Sequence, residues 1–248
     1  MRIDVFFSGA GLAPSDVAGR TVVVIDVLRA STSIAVAVAN GARAVIPLES
    51  SDEVVTRAKA FERSDVRLAG ERKMKPIPGF DFGNSPAEFT RDAVEGKTVL
   101  LTTTNGTAAI GASQGAREVV IASYVNFSAV LTMLRAARRG GTDIAIICAG
   151  RERQFSLEDA ACAGRYVHQV SKRITGLDAN DAAHAAVLIA KRYGDNLERL
   201  LETSEHGQAL RAAGYGDDIA LCATLDSFPV IPVYQDRQIT KLGPNRER

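Results

Sequence analysis

The stretch TVVVIDVLRASTS, residues 21–33, constrains this chain most. Its first five residues are all β-branched, which predicts a strand buried on both faces. Asp26 and Arg29 follow at the carboxyl end. Ser31, Thr32 and Ser33 then place hydroxyls where a helix start leaves backbone N–H groups without partners. A doubly buried strand needs a layer on each side, so the chain reads as α/β. Sheets of that kind bind ligands beyond the carboxyl ends of their strands. An acid, a guanidinium and a helix start meeting there suit a metal ion and a phosphate.

The same grammar recurs along the chain. Strands are predicted at residues 2–7, 44–48, 66–69, 98–102, 118–122, 143–148 and 218–222, with an extended segment at 230–234. Helices are predicted at 31–39, 51–63, 85–93, from 108, at 128–139, from 157, and over most of 178–213. Residues 73–84 read as a Pro- and Gly-containing loop, and the tail KLGPNRER as mobile and solvated. A weak repeat pairs TVVVI (residues 21–25) with TVLLT (98–102) and NGARAVI (40–46) with QGAREVV (114–120). Each unit is strand, polar loop, Ala-rich helix, Gly-Ala-Arg, strand. Parallel pairing through a right-handed crossover is expected within each unit, whether duplicated or convergent. The expected fold is thus α/β, with a mixed, mostly parallel sheet layered between helices. It forms a single domain or two pseudo-repeated halves meeting near residues 90–98.

Composition narrows the function. Formal net charge is +1, aromatics are 6% and Trp is absent, so neither nucleic acid nor a membrane surface is an expected partner. No run approaches the ~18 apolar residues of a membrane helix. Cys148, Cys162 and Cys222 form no C-x-x-C, which points to a reduced, cytoplasmic protein. A homodimer is the default assembly.

Four loops carry chemistry. One holds Asp26, Arg29, Ser31 and Thr32. A second holds Thr103, Thr104, Asn105, Gly106 and Thr107. A third holds Arg151 and Arg153, followed by Glu158 and Asp159 in the first turn of a helix. The fourth is Gly70-Glu71-Arg72. Carboxylates hold Mg²⁺, while arginines and N–H groups hold phosphate. Each residue also has a structural reading: Asp26, Glu158 and Asp159 as helix-dipole acids, Ser31, Thr32 and Thr107 as caps, Asn84-Ser85 as a capping box with Glu88. Sharper signatures fail. Five residues separate Cys148 from Gln154, where a cysteine phosphatase has Arg. Asp26 lacks the second acid of an Asp-x-Asp phosphatase. Walker A and G-x-G-x-x-G are absent, Ser156 has no G-x-S-x-G setting, and His168, His184 and His206 show no zinc spacing.

Together VVIDVLRASTSI (23–34), GER (70–72), GFDFGNSP (79–86), LTTTNGT (101–107) and CAGRERQFSLEDAACAG (148–164) resemble the 2-phosphosulfolactate phosphatases of coenzyme M biosynthesis. The region around Asp218-Ile219 and residues 230–232 is similar as well. The resemblance implies a Mg²⁺-dependent enzyme that cleaves (R)-2-phospho-3-sulfolactate to 3-sulfolactate and phosphate. On that reading Asp26, Arg29 and Arg151 are catalytic. Asp26, Glu71, Glu158 and Asp159 are candidate metal ligands. Ser31, Thr32, Arg72, Asn84, Ser85 and residues 103–107 are candidates for binding a small anionic phosphoester. The nucleophile is Asp26 itself or a metal-activated water. Another 2-phospho-hydroxyacid would satisfy the same sockets, and a non-catalytic anion-binding module is the competing class.

Overall fold

The computed structural model describes residues 1–172 and 178–243. Its strands are β1 (Arg2–Phe6), β2 (Thr21–Ile25), β3 (Ala44–Pro47), β4 (Val66–Arg72), β5 (Lys75–Pro76), β6 (Thr98–Thr102), β7 (Glu118–Ala122), β8 (Ile144–Cys148), β9 (Asp178–Ala179), β10 (Pro232–Gln235) and β11 (Gln238–Lys241). Its helices are α1 (Pro14–Val17), α2 (Ala30–Ala39), α3 (Ser51–Ala58), α4 (Arg91–Val94), α5 (Gly106–Gly111), α6 (Phe127–Arg139), α7 (Leu157–Ser171), α8 (Asp181–Tyr193), α9 (Leu197–Thr203), α10 (Glu205–Ala212) and α11 (Gly216–Cys222). The strands form one sheet in the order β5-β4-β6-β3-β11-β10-β7-β2-β8-β1-β9.

The sheet holds two parallel groups. In one, β2 lies between β7 and β8, with Ile25 opposite Ala122 and Cys148. In the other, β6 lies between β3 and β4, with Leu101 opposite Pro47 and Ala69. The β10–β11 hairpin joins them through three antiparallel pairings, so the groups run in opposite senses.

Helix α2 explains how opposed groups share a site. Its sequence, ASTSIAVAVA, has no polar face, and every residue from Ala30 through Val38 is buried. A helix apolar all round must be covered on all sides. Val22, Val24 and Ile147 of one group and Val45, Val99 and Leu101 of the other belong to the core that contains Ile34, Val36 and Val38. The sheet therefore wraps around α2. Its outer face is covered by α6 and α7 over β1, β2 and β8, and by α3 over β3, β4 and β6.

This wrapping corrects the expected connectivity. β2 and β3 do not pair with each other, nor do β6 and β7; β2 pairs with β7, and β3 with β6. The strands of the two repeat units are exchanged across the central hairpin, because α2 passes through the middle rather than over one face.

Local expectations also need correction. Residues 216–222 form helix α11 rather than a strand at 218–222. Asp217 and Asp218 occupy its first turn, and Ile219 and Cys222 share its buried side. The helix expected at 85–93 is a 3₁₀ turn, Pro86–Glu88, and then α4, separated by extended Thr90. Phe89, which packs edge-on against Phe82, lies at that break. Helix α3 stops at Ala58, and β4 runs on to Arg72. The tail is not mobile from its start: Lys241 ends β11, and Leu242 N–H donates to Ile231 O at 2.8 Å. Residues 244–248 lie outside the described residues.

Helices α7 and α8 meet where Gly164 leaves no room. A Cβ there would stand 1.9 Å from the Ala186 carbonyl oxygen. Gly164→Ala is expected to lower unfolding stability by about 1–3 kcal/mol, as overpacked cores do. Urea unfolding checks this, and an unchanged midpoint would contradict the close crossing.

Candidate active site

The loops after β2, β4, β6 and β8 converge. Asp26 ends the buried strand and stays buried itself, at 6% exposure. Its Oδ1 accepts the Ala30 N–H at 3.1 Å, and its own N–H donates to Ser31 Oγ at 2.9 Å. Asp159 joins this loop to its neighbour. Oδ1 accepts the Val27 N–H at 2.8 Å, and Oδ2 accepts the Gly150 N–H at 3.1 Å. Glu71, from β4, joins the loops of the other group. It accepts the Thr104 N–H at 2.7 Å and the Met74 N–H at 2.8 Å. Gly106 lets α5 approach α2, since a Cβ there would lie 2.5 Å from Ala30 Cβ and 2.8 Å from Asp26 Oδ2.

These loops enclose a cavity of about 330 Å³. Its acids are Asp26, Glu71 and Glu152, and its cations are Arg29, Lys73 and Arg151. Asn84, Thr103, Thr104, Asn105 and His206 add polar lining, and Leu28 and Met74 apolar lining. Arg29 is fixed in place. Its Nη1 donates to Asp218 Oδ2 at 2.6 Å, and its guanidinium lies 4.3 Å from the Tyr215 ring centroid. Asp218 Oδ1 in turn accepts from Ser85 Oγ at 2.6 Å. Arg151 pairs with the exposed Glu205. Asn84 also lines the cavity, and its Oδ1 is buried without a protein hydrogen-bond partner.

Other candidates sit elsewhere. The hydroxyls of Ser31 and Thr32 turn inward, Ser31 to Val24 O and Thr32 to Val27 O and Ser123 Oγ. Thr107 bonds back to Thr103, and Ser85 serves Asp218. Arg72 bonds to Thr102 Oγ1 and to the Glu71 and Glu49 carbonyls. Glu158 borders a second cavity of about 310 Å³, with His206 and Arg151 between the two. His206 Nδ1 lies 3.4 Å from Glu158 Oε1. His206, Asp218, Tyr215 and Lys73 were absent from the sequence-based set. Asp218 had a signal in the similar closing region, but His206 had none, since a single His in a helix carries no spacing.

Electrostatics follow from burial. Desolvation, with Glu71 and Glu158 nearby, pushes the Asp26 carboxyl up to about 6, against the pull of His206 and the Ala30 N–H. Burial beside Glu158 and Asp26 raises Asp159 well above the usual range. Burial also opposes charge on Glu158, yet the bond and charge of His206 outweigh it and hold that carboxyl low. Burial drives the Cys148 thiol well up, unlike an activated nucleophile.

Among the described residues no three His, Cys, Asp or Glu side chains converge to hold a metal by themselves. Asp159 lines neither cavity, and Glu158 borders the second one and faces His206. Asp26 and Glu71 remain on the main cavity. Two hard carboxylates suit Mg²⁺, which keeps waters and takes substrate oxygens rather than needing an all-protein cage.

The raised Asp26 makes stability depend on pH. A carboxyl higher in the folded than in the unfolded state favours folding while protonated, and that contribution fades as pH rises from about 4 through about 6. Asp26→Asn is therefore expected to stabilise the protein above pH 6, by at most about 3 kcal/mol, with no gain below about pH 4. Urea unfolding across that range measures it; equal stability of the two proteins at neutral pH would contradict it.

A family profile described as 2-phosphosulpholactate phosphatase matches residues 9–237. A protein of Symbiobacterium thermophilum named probable 2-phosphosulfolactate phosphatase is 43% identical over 227 residues, 92% of this chain and 96% of its own. Proteins of the same name from Thermotoga maritima and Caldanaerobacter subterraneus subsp. tengcongensis are 39% and 38% identical. They align over 222 and 217 residues, covering 89% and 88% of this chain and 92% and 88% of theirs. On sequence shared over nearly its whole length, the chain belongs to the 2-phosphosulfolactate phosphatase family.

Proposed function

We propose that this phosphoric monoester hydrolase converts (R)-2-phospho-3-sulfolactate to 3-sulfolactate and phosphate with Mg²⁺, the chemistry of coenzyme M biosynthesis, in a reducing cytoplasm. The observation that carries the reading is the cavity itself, which Asp26 and Glu71 line together with Arg29, Lys73 and Arg151. The substrate bears phosphate, carboxylate and sulfonate, and three separate cations match three anionic groups. The compartment rests on three free, buried cysteines, and no described helix is long and apolar enough to cross a membrane.

Mg²⁺ bound to Asp26 and Glu71 would neutralise charge on the phosphoryl oxygens. The chain's own residues do the rest. Arg29 is held by Asp218 and stacked on Tyr215, so its donors are aimed before substrate arrives. Arg151 exchanges the exposed Glu205 carboxylate for an anionic group of the substrate. Asn84 and the loop from Thr103 to Asn105 supply neutral polar contacts. Asp26 is almost wholly buried, which strengthens its field on a bound phosphoryl group. Acids beside the arginines favour catalysis over simple anion capture, which gains nothing from nearby carboxylates.

Phosphate release from (R)-2-phospho-3-sulfolactate and from 2-phospholactate, with Mg²⁺ or with EDTA, tests the reading. Release that requires Mg²⁺ and favours the sulfonated ester by about tenfold or more is expected, as a lost charged contact dictates. Equal rates on both esters would move the substrate to another 2-phospho-hydroxyacid. Tight anion binding without turnover would replace the enzyme by a binding module.

A further inference from the structure

We propose that His206, oriented by Glu158, is the acid that protonates the leaving C2 oxygen. The inference rests on the phosphatase reading and adds to it the group that handles the leaving alcohol. That alcohol is a secondary alkoxide as it departs, a poor leaving group that needs a proton in the transition state.

The cavity offers few donors for that proton. Arg29 and Arg151 are guanidiniums, which do not give up protons in proteins. Asp159 lines neither cavity and spends both oxygens on backbone N–H groups. Lys73 is exposed. His206 differs from all of these. It borders both cavities, its side chain is 15% exposed, and its Nδ1 faces the buried Glu158. Among the described residues Nε2 has no protein hydrogen-bond partner, so the second nitrogen is free for a ligand. An imidazole backed by a buried carboxylate is the arrangement that fixes a ring and supports its charged form.

The fold places this ring with care. Ser204 caps α10 by accepting the Gly207 N–H at 3.0 Å. A Cβ on Gly207 would lie 1.8 Å from the Leu201 carbonyl oxygen, so the α9–α10 corner closes tightly beside His206. Glu158 comes from the first turn of α7, whose cap Ser156 accepts the Asp159 N–H. His206 and Asp26 line the same cavity, so the ring shares it with the carboxylate that follows β2.

The step balances. The P–O ester bond breaks and its electron pair stays on the C2 oxygen. The Nε2 proton moves to that oxygen and yields the alcohol. The water consumed in hydrolysis becomes the fourth phosphate oxygen, and a proton it sheds restores the imidazolium.

The test compares two leaving groups. His206→Asn and the wild type are assayed on (R)-2-phospho-3-sulfolactate and on 4-nitrophenyl phosphate, whose phenolate leaves without a proton. His206→Asn is expected to lose roughly 10²–10³ in kcat on the first ester. Its loss on the nitrophenyl ester is expected to be smaller by about tenfold or more, since no acid is needed there. Glu158→Gln should show the same selectivity with a smaller loss, and it decides the matter if His206→Asn does not fold. Equal losses on both esters would make the pair a structural strut and overturn the proposal, as would no loss on either. If the wild type releases phosphate from neither ester, the phosphatase reading itself fails and the inference falls with it.

Discussion

The site depends on one constraint: a carboxylate, Asp26, stands almost wholly buried just past the end of a strand, with no cation bonded to it among the described residues. A buried charge in that state is unfavourable unless something compensates it. One N–H from Ala30 helps, and Glu71 and Glu158 work against it. The buried guanidinium of the same cavity, Arg29, is committed to Asp218. The protein thus maintains an acid whose compensation must come from what binds. An anionic ester alone would add repulsion, whereas an ester arriving with a divalent cation resolves it. This is why the acids and the arginines of the cavity belong to one function.

Keeping such a cavity requires rigid walls, and the fold provides them by an exchange of strands. Asp159 ties the loops of β2 and β8, and Glu71 ties the loops of β4 and β6, each through two backbone N–H groups. The two pairs of loops belong to strand groups of opposite sense. They meet because the sheet wraps α2, whose small, apolar residues let both groups close on it. Gly106 marks the tightest point of that closure, where α5 reaches both Ala30 and Asp26.

Much of this was legible in the sequence, and the boundary has a physical cause. Strands such as β2, β6 and β8 announce themselves, because a short buried run rich in β-branched residues fits little else. The polar residues just past them, Asp26, Thr103 and Arg151, could be read as cavity lining from position alone. Pairing was not legible, since βαβ grammar does not say which strand lies beside which. ASTSIAVAVA held the hint, a helix with no polar side. Ser31 and Thr32 look identical in sequence whether a hydroxyl serves a ligand or a nearby carbonyl, and in the structure they serve carbonyls and Ser123. His206 and Asp218 come from late helices whose patterns are ordinary, and only tertiary packing brings them to β2.

The measurement that tests this account most directly is the titration of Asp26 itself, followed by the ¹³Cγ resonance of labelled aspartate and assigned with Asp26→Asn. In the free protein the carboxyl is predicted to titrate near about 6. With Mg²⁺ and inorganic phosphate bound it should fall below the ordinary aspartate value of about 4, because compensating charge favours the carboxylate. An Asp26 that titrates at the ordinary value in the free protein, and does not move when both ligands are added, would contradict the claim that the site is built around an uncompensated acid.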